Sequence, residues 1–498
     1  MTDILEDLRR WSDVRPADIA FSDADGTITY QALYARCCGL AATLTAGPAT
    51  IGILAENGVD WVVADLACKL AGKTMVPLPP FFSPDQLRHI VADATIDTIL
   101  STPKLSAMAA VTGVPVQLIG RIAVAGGPFQ PVTGWRQVIY TSGTTGRPKG
   151  VILNASNIDT SVRALTDAMA VQPTDKYLSV LPLSLLLEQV CGIYVPLKNG
   201  VRSHLDGDLA MAVMAGDMGR LRSEIERHRP TAMVLVPALL SGWVAWLSAT
   251  GATVPGCLRF VAVGGAHVAP ALARQAWSLG IPVHEGYGLS ECGSVVAVNR
   301  PGQRKPGTVG PPLPGVHIDI LDGEIVVHGA TVMQGYLSGA AAGTNWRTGD
   351  LGQFDDDGNL EILGRRDNVL VTSYGRNISP EWIESMILAD PRIAHCILTG
   401  SAQPAPVALI VLSAFGEKWA AATTPDDLHQ VVTDLCIKAP AYARPARVLR
   451  INLKHAIDLG LLNALRQPVR REFNLYYSTL DQPVYPETPA GEPHARLL

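Results

Sequence analysis

The 498-residue chain lacks a Cys-x-x-Cys pair, a hydrophobic leader, a strong net charge and any repeat at a solenoid period. Each absence removes a class of protein. The eight cysteines, at positions 37, 38, 68, 191, 257, 292, 396 and 436, are scattered, so zinc-ribbon and dithiol redox chemistry have no framework. They read as buried thiols of a reduced compartment, the cytoplasm. The opening residues, MTDILEDLRRWSDVRP, are broken by charges every few positions and carry no apolar leader. Forty basic against 45 acidic residues leave a net −5, which supplies no field for nucleic acid or an anionic membrane. Aromatic residues are sparse at 6%, yet 48% of the chain is hydrophobic and only 17% charged, a balance that fills cores rather than a disordered chain.

Charge is also missing locally. No charged residue stands between Arg229 and Arg259, a stretch longer than the ~20 apolar residues that a membrane span takes. Pro237, Ser241, Gly242, Ser248, Thr250, Gly251 and Pro255 cut it into a strand-like TAMVLV, a helix-like ALLSGWVAWL and a Gly/Pro loop. The expectation is a buried strand and helix, with no transmembrane segment.

At 52.9 kDa the chain exceeds what one core organises. Short apolar runs such as TIGILA, TMVPLP, TAMVLVPA and RFVAVGG alternate with helix-length segments, which predicts stacked α/β layers. From about 307 to 364 the texture turns to short strands and tight turns, including DDDGN, and predicts a β-rich subdomain. Beyond it, SPEWIESMIL reads as a helix with Ser379 as N-cap and Pro380 in its first turn, and VALIVLSA as a strand. The expected fold is therefore a large N-terminal α/β domain, 1–366, followed by a small, mobile α+β domain, 367–477. The Pro-rich residues 478–498 read as a flexible tail.

One segment concentrates chemistry: VIYTSGTTGRPKGV, residues 138–151. A strand end runs into Thr141, Ser142, Gly143, Thr144, Thr145 and Gly146, then Lys149. Glycines let backbone N–H groups turn toward an anion, hydroxyls add donors and the lysine adds charge, which together suit a polyphosphate. The segment breaks the G-x-x-x-x-G-K-[ST] rule, since Arg147 and Pro148 follow Gly146 and Gly150 follows the lysine, so an ordinary P-loop NTPase is disfavoured.

This loop resembles the phosphate loop of the adenylate-forming superfamily: acyl-CoA synthetases, peptide-synthetase adenylation domains and luciferases. VPLPPFFSPDQLRHIVAD, LSVLPLSLLLEQVCGIYVPL, VAVGGA, EGYGLSECG, GTVGPPLPGV, GEIVVHGATVMQGYL, WRTGDLG and LGRRDNVLVTSYGRNISPEWIE resemble its further elements in the same order. The similarity covers roughly residues 20–475. It implies an enzyme that converts a carboxylic acid and ATP to acyl-AMP and pyrophosphate, then passes the acyl group to coenzyme A. Under it, residues 141–146 and Lys149 would hold the triphosphate, and Glu291 would bind Mg²⁺. Tyr287 would stack on adenine between Gly286 and Gly288, with Gly265 and Ala266 nearby, and Ser290 standing where a threonine is usual. Asp350 would accept the ribose hydroxyls, with Arg365 as a cationic neighbour. Asp367 matches the hinge between domains, and Arg376 falls where an arginine reaches phosphate in the second conformation.

The sequence departs from the pattern twice. The family's C-terminal lysine should lie in GLLNALRQPVRREF, yet its position holds Arg466 or Gln467, and arginine is not equivalent to lysine. This opens slow adenylation, or a non-catalytic nucleotide-binding homologue, as an alternative, against which stand the retained phosphate, metal and ribose positions. Second, Leu185 replaces the polar ring that many relatives carry after LPLS. With Leu186, Val236 and Gly264 it predicts an apolar acyl site suited to a fatty or aryl acid. Glu188 is the one acid in these segments, which disfavours amino acids. No carrier attachment segment follows residue 475, so coenzyme A is the first expectation as acceptor, and a separate acyl carrier protein or an amine the runner-up.

Overall fold

The computed structural model describes residues 3–119, 129–141, 148–339, 341–463 and 468–480. Among these residues two large mixed sheets organise the first two-thirds of the chain. One has eight strands, in the order Ser294–Val298, Val283–Leu289, Phe260–Val263, Ala232–Leu235, Lys176–Ser179, Arg202–Leu205, Ile19–Asp23 and Gly26–Thr29. Its middle is parallel, as the apolar runs AMVL and FVAV require when both faces of a sheet are covered. The other has seven strands and is centred on Arg136–Thr141, Thr74–Pro77 and Thr50–Leu54.

The helix Val59–Leu70, VDWVVADLACKL, is apolar nearly all round and buried at every position but Asp60, which fits a helix enclosed on both sides. It contacts strands Thr50–Leu54 and Thr74–Pro77 of one sheet and Ile19–Asp23 of the other. The two polar residues it buries answer each other: Lys69 pairs with Asp65 one turn away, and Tyr194 donates to Asp65 Oδ2 over 3.1 Å. An unpartnered charge there would carry a large desolvation cost.

The charge-free stretch after Arg229 forms the buried strand Ala232–Leu235 and the helix Pro237–Thr250, ended by Gly251 at φ +68°. No helix among the described residues is long and apolar enough to cross a membrane. All eight cysteines are unpaired thiols, seven of them buried.

A four-stranded antiparallel sheet, His317–Leu321, Glu324–His328, Asn345–Phe354 and Leu360–Arg365, occupies the β-rich region. Its first hairpin turns on Asp322 and Gly323, both at positive φ, the geometry a two-residue turn demands. One strand of the 307–364 region does not join this sheet. Gly335–Tyr336 pairs instead with Val151 and Ile152 at the edge of the seven-stranded sheet.

The residues after 367 build a three-stranded sheet, Ile393–Thr399, Val407–Leu412 and Arg447–Ile451, with VALIVL buried throughout. Helices on its two faces close separate cores, one around Ile383, Leu398 and Val432, the other around Leu409, Leu461 and Phe473. Ser379 does precede the helix Pro380–Ile387, but its hydroxyl makes no cap bond and instead donates to the Leu363 carbonyl, tying the helix start to the preceding strand. The last helix, Arg470–Thr479, includes Ser478 and Thr479, which composition had assigned to the tail.

Candidate active site

The expected site residues gather where the parallel strands of the eight-stranded sheet end, the usual ligand edge of open α/β sheets. The strand Val283–Leu289 carries EGYGL and pairs with Ser294–Val298 through a register shift at Tyr287–Gly288. A side chain at Gly288 would put its Cβ 1.8 Å from the Ser294 carbonyl oxygen, so the second glycine of the motif is dictated by that close strand approach.

From this strand Tyr287 donates its hydroxyl to Asp350 Oδ2 over 2.5 Å. Asp350 faces Arg365 directly across the antiparallel pair, and Arg365 Nε lies 2.7 Å from Asp350 Oδ1. Asp350 is 5% exposed, and burial raises its pKa while Arg365 and Tyr287 pull it back. Each carboxylate oxygen thus has one protein donor and retains a lone pair for a further hydroxyl.

Three segments meet around Glu291, the expected metal ligand. Glu291 lies in the short turn Ser290–Cys292, held by Met333 N–H donating to its carbonyl over 2.8 Å. Tyr336 donates to Glu291 Oε1 over 2.8 Å, and Lys149 Nζ stands 5.6 Å from the centre of the Tyr336 ring. Burial, and next the Glu291 carboxylate, push the Tyr336 phenol well above its ordinary pKa, so it remains a donor. Lys149 and Thr141 are the last residues paired at the end of their hairpin. The cradle residues Ser142, Gly143, Thr144, Thr145 and Gly146 lie outside the described residues, as do Arg466 and Gln467.

Of the expected acyl residues, Leu186 and Gly264 line a cavity of about 140 Å³, together with Leu165, Met169, Leu187 and Phe260 among others, and with Gly265, Gly286, Tyr287 and Ser290. Leu185 and Val236 do not line it. Leu185 occupies the N-cap position of the helix Leu186–Gln189, and that turn carries Leu186 and Leu187 to the cavity in its place. Val236 is the N-cap of Pro237–Thr250 and packs beside Gly265. Ala266 is exposed and off the wall. Glu188 is fully buried, accepts from the Tyr177 hydroxyl at 3.2 Å and has its pKa pushed up to about 8, chiefly by burial. It is therefore mostly protonated at neutral pH.

Asp367 sits in the turn Arg366–Asn368 with its side chain 72% exposed, the surroundings a pivot needs. Arg376 stands over the Tyr442 ring at 5.7 Å, within the C-terminal part. Sequence reasoning passed over Tyr336, although it lies in the quoted GEIVVHGATVMQGYL. An aromatic placed at a strand edge was its only sign.

A buried carboxylate with a facing arginine, a second carboxylate joined through Tyr336 to a lysine, and an apolar cavity lined by Tyr287 match the features expected of a two-part α/β enzyme of the adenylate-forming class. The chain belongs to the AMP-binding enzyme family: that family's model matches residues 8–337, and the AMP-binding enzyme C-terminal domain matches 367–457. The long-chain-fatty-acid–CoA ligase FadD15 of Mycobacterium bovis is 26% identical over 491 aligned positions, covering 81% of this chain and 78% of its own. The anthranilate CoA ligase AuaEII in complex with anthranoyl-AMP has the same fold, with a TM-score of 0.83 over 96% of this chain and 97% of its own at 19% identity. The o-succinylbenzoate coenzyme A synthetase MenE of Bacillus subtilis, solved with ATP and magnesium, is 25% identical, with a TM-score of 0.77 over 93% and 98%.

Proposed function

We propose that this chain is an AMP-forming acid–CoA ligase for an apolar carboxylic acid. The observation that carries the reading is the pair of constellations Asp350–Tyr287–Arg365 and Glu291–Tyr336–Lys149, joined to one apolar cavity by Tyr287 and by Ser290, the neighbour of Glu291, both of which line it. An oxygen of the acid attacks the α-phosphorus of ATP, the α–β phosphoanhydride bond breaks and pyrophosphate leaves. The thiol of coenzyme A then attacks the acyl carbon, loses its proton, and AMP departs with the bonding pair of the acyl–oxygen bond.

Asp350 accepts the ribose hydroxyls and Tyr287 flanks the base. Lys149 brings positive charge to the polyphosphate, together with Thr141, Ser142, Gly143, Thr144, Thr145 and Gly146. Glu291 suits Mg²⁺, because Tyr336 binds only one of its oxygens and magnesium is commonly held by one or two carboxylates together with substrate phosphates. Bound there, the metal would neutralise charge on the phosphates. Residues 1–366 form the body and 367–477 the mobile part, which turns about Asp367 to bring Arg376 toward phosphate. Eight unpaired thiols suit a reducing cytoplasm.

The test is Mg²⁺-dependent pyrophosphate release from ATP with a panel of apolar acids, with and without coenzyme A. Acid-dependent release followed by thioester formation is expected. Release that no acid stimulates would refute the reading.

A further inference from the structure

Resting on that reading of the site, we infer that the acid is a single-ring aromatic carboxylic acid with no charged group on its ring. Volume sets the first limit. The cavity measures about 140 Å³, and an apolar cavity of ~150 Å³ is of the size that takes benzene. A long-chain acyl group has several times that bulk.

Shape sets the second. One wall is the sheet itself, where Gly264, Gly286 and Gly288 carry no side chain and Ala262 only a methyl. A side chain at Gly264 would be tight, its Cβ 3.1 Å from the Gly286 carbonyl oxygen. Peptide planes with so little projecting from them make a flat face that a ring covers better than a coiled chain. Leu165, Met169, Leu186 and Leu187 add apolar lining.

One lining ring is fixed in place: Phe260, the first residue of the strand Phe260–Val263, lines the cavity from the end of that strand away from Gly264. That ring stacks on His284, with centroids 4.0 Å apart and planes 15° from parallel. His284 is in turn fixed by a 2.8 Å contact between Nδ1 and the Pro282 carbonyl. A stacked pair anchored to backbone does not swing aside for a longer chain.

Charge sets the third limit. Among the described residues, no lysine, arginine, aspartate or glutamate lines the cavity. Of the acids that adjoin lining residues in sequence, Glu188 is turned into the core against Tyr177, Glu285 is buried off the lining, and Glu291 is bonded to Tyr336. An ammonium or a second carboxylate on the acid would be desolvated with no partner.

The experiment compares the full-length protein's affinity for benzoyl, hexanoyl and dodecanoyl sulfamoyl-adenosine, unreactive mimics of acyl-AMP, alongside pyrophosphate release with the three matching acids. The benzoyl mimic should bind at least ten-fold tighter than either chain, and turnover should follow the same order. Met169→Ala, which enlarges the cavity, should narrow the gap to dodecanoyl, whereas a merely structural loss would weaken all three alike. Equal or tighter binding of hexanoyl or dodecanoyl overturns the inference, even where pyrophosphate release upholds the ligase reading. Selective benzoyl binding without release by any acid sinks the ligase reading and leaves the ring preference standing.

Discussion

Tyr336 donates its phenolic hydrogen to Glu291 Oε1 over 2.8 Å while its ring lies 5.6 Å from Lys149 Nζ, so one aromatic side chain braces both the carboxylate and the ammonium of the site. Hydrogen bonds to charged groups contribute roughly 1.5–3 kcal/mol. Tyr336→Phe keeps the ring and removes that bond. Adenylation efficiency should fall about ten-fold, since ~1.4 kcal/mol is a factor of ten, and the Mg²⁺ concentration for half-maximal rate should rise. Metal titration of pyrophosphate release measures both, and an unchanged metal requirement would detach Tyr336 from Glu291's role.

The ribose position makes a different prediction. Asp350→Asn removes the charge that Arg365 faces while keeping the size of the side chain. Arg365 is 48% exposed, so solvent screens much of the lost pairing and the fold should survive. The loss should appear in nucleotide affinity, with ATP binding weakened on the order of ten-fold and the acid's own affinity little changed. Isothermal titration with ATP and with acid separates the two.

How much of this was legible beforehand depends on what fixes each feature. The alternation of apolar strands and helices, the Asp322–Gly323 turn and the cluster around EGYGLSE are local, and the sequence displays them directly. Tyr336 was invisible because its position comes from pairing with Val151, far away in the chain. That Leu186 and Leu187, and not Leu185, line the cavity was not legible, because it depends on the rotation of a single helical turn. The facing of Asp350 and Arg365 required strand register, and the protonation of Glu188 required knowing how deeply it is buried.

Glu188 gives a stability prediction with a definite sign. Its folded pKa of about 8 lies above the ordinary 4.5, so the folded protein holds a proton that the unfolded chain releases. The resulting stabilisation is complete below about pH 4.5 and is lost as pH rises toward 8. Glu188→Gln, which cannot ionise, should remove this slope. The stability difference between wild type and variant should change by on the order of 3 kcal/mol across the window, in favour of the variant at the alkaline end. Urea melts at pH 5, 6.5 and 8 test it, and parallel curves would mean that Glu188 does not titrate there.

Gly288 tests the strand crossing on which the site is built. Alanine would place its Cβ 1.8 Å from the Ser294 carbonyl oxygen, and backbone lies on both sides of the clash. Relief must come from separating the two strands, so Gly288→Ala should cost about 3 kcal/mol or more and lower nucleotide binding with it. Gly323→Ala, which meets open space and carries only the cost of positive φ, is the matched control and should lose about 1 kcal/mol. Equal losses in the two variants would argue that Gly288 answers to its backbone conformation rather than to the neighbouring strand.

The C-terminal departure leads to the remaining prediction. Arg466 or Gln467 stands where the family pattern has a lysine, in a segment that continues into Arg470 and its buried pair with Glu384. A compact ammonium concentrates charge on one atom, whereas a guanidinium spreads it over a planar fork. If charge on the reacting oxygens limits the first step, a lysine at the right position should raise the rate of pyrophosphate release severalfold. Arg466→Lys and Gln467→Lys, made separately, identify which position reaches the site. Thioester formation from pre-formed acyl-AMP should be unaffected, because the pattern assigns this lysine to adenylation. An increase in the second step instead, or in neither, would show that this chain activates its acid without a cation from that segment.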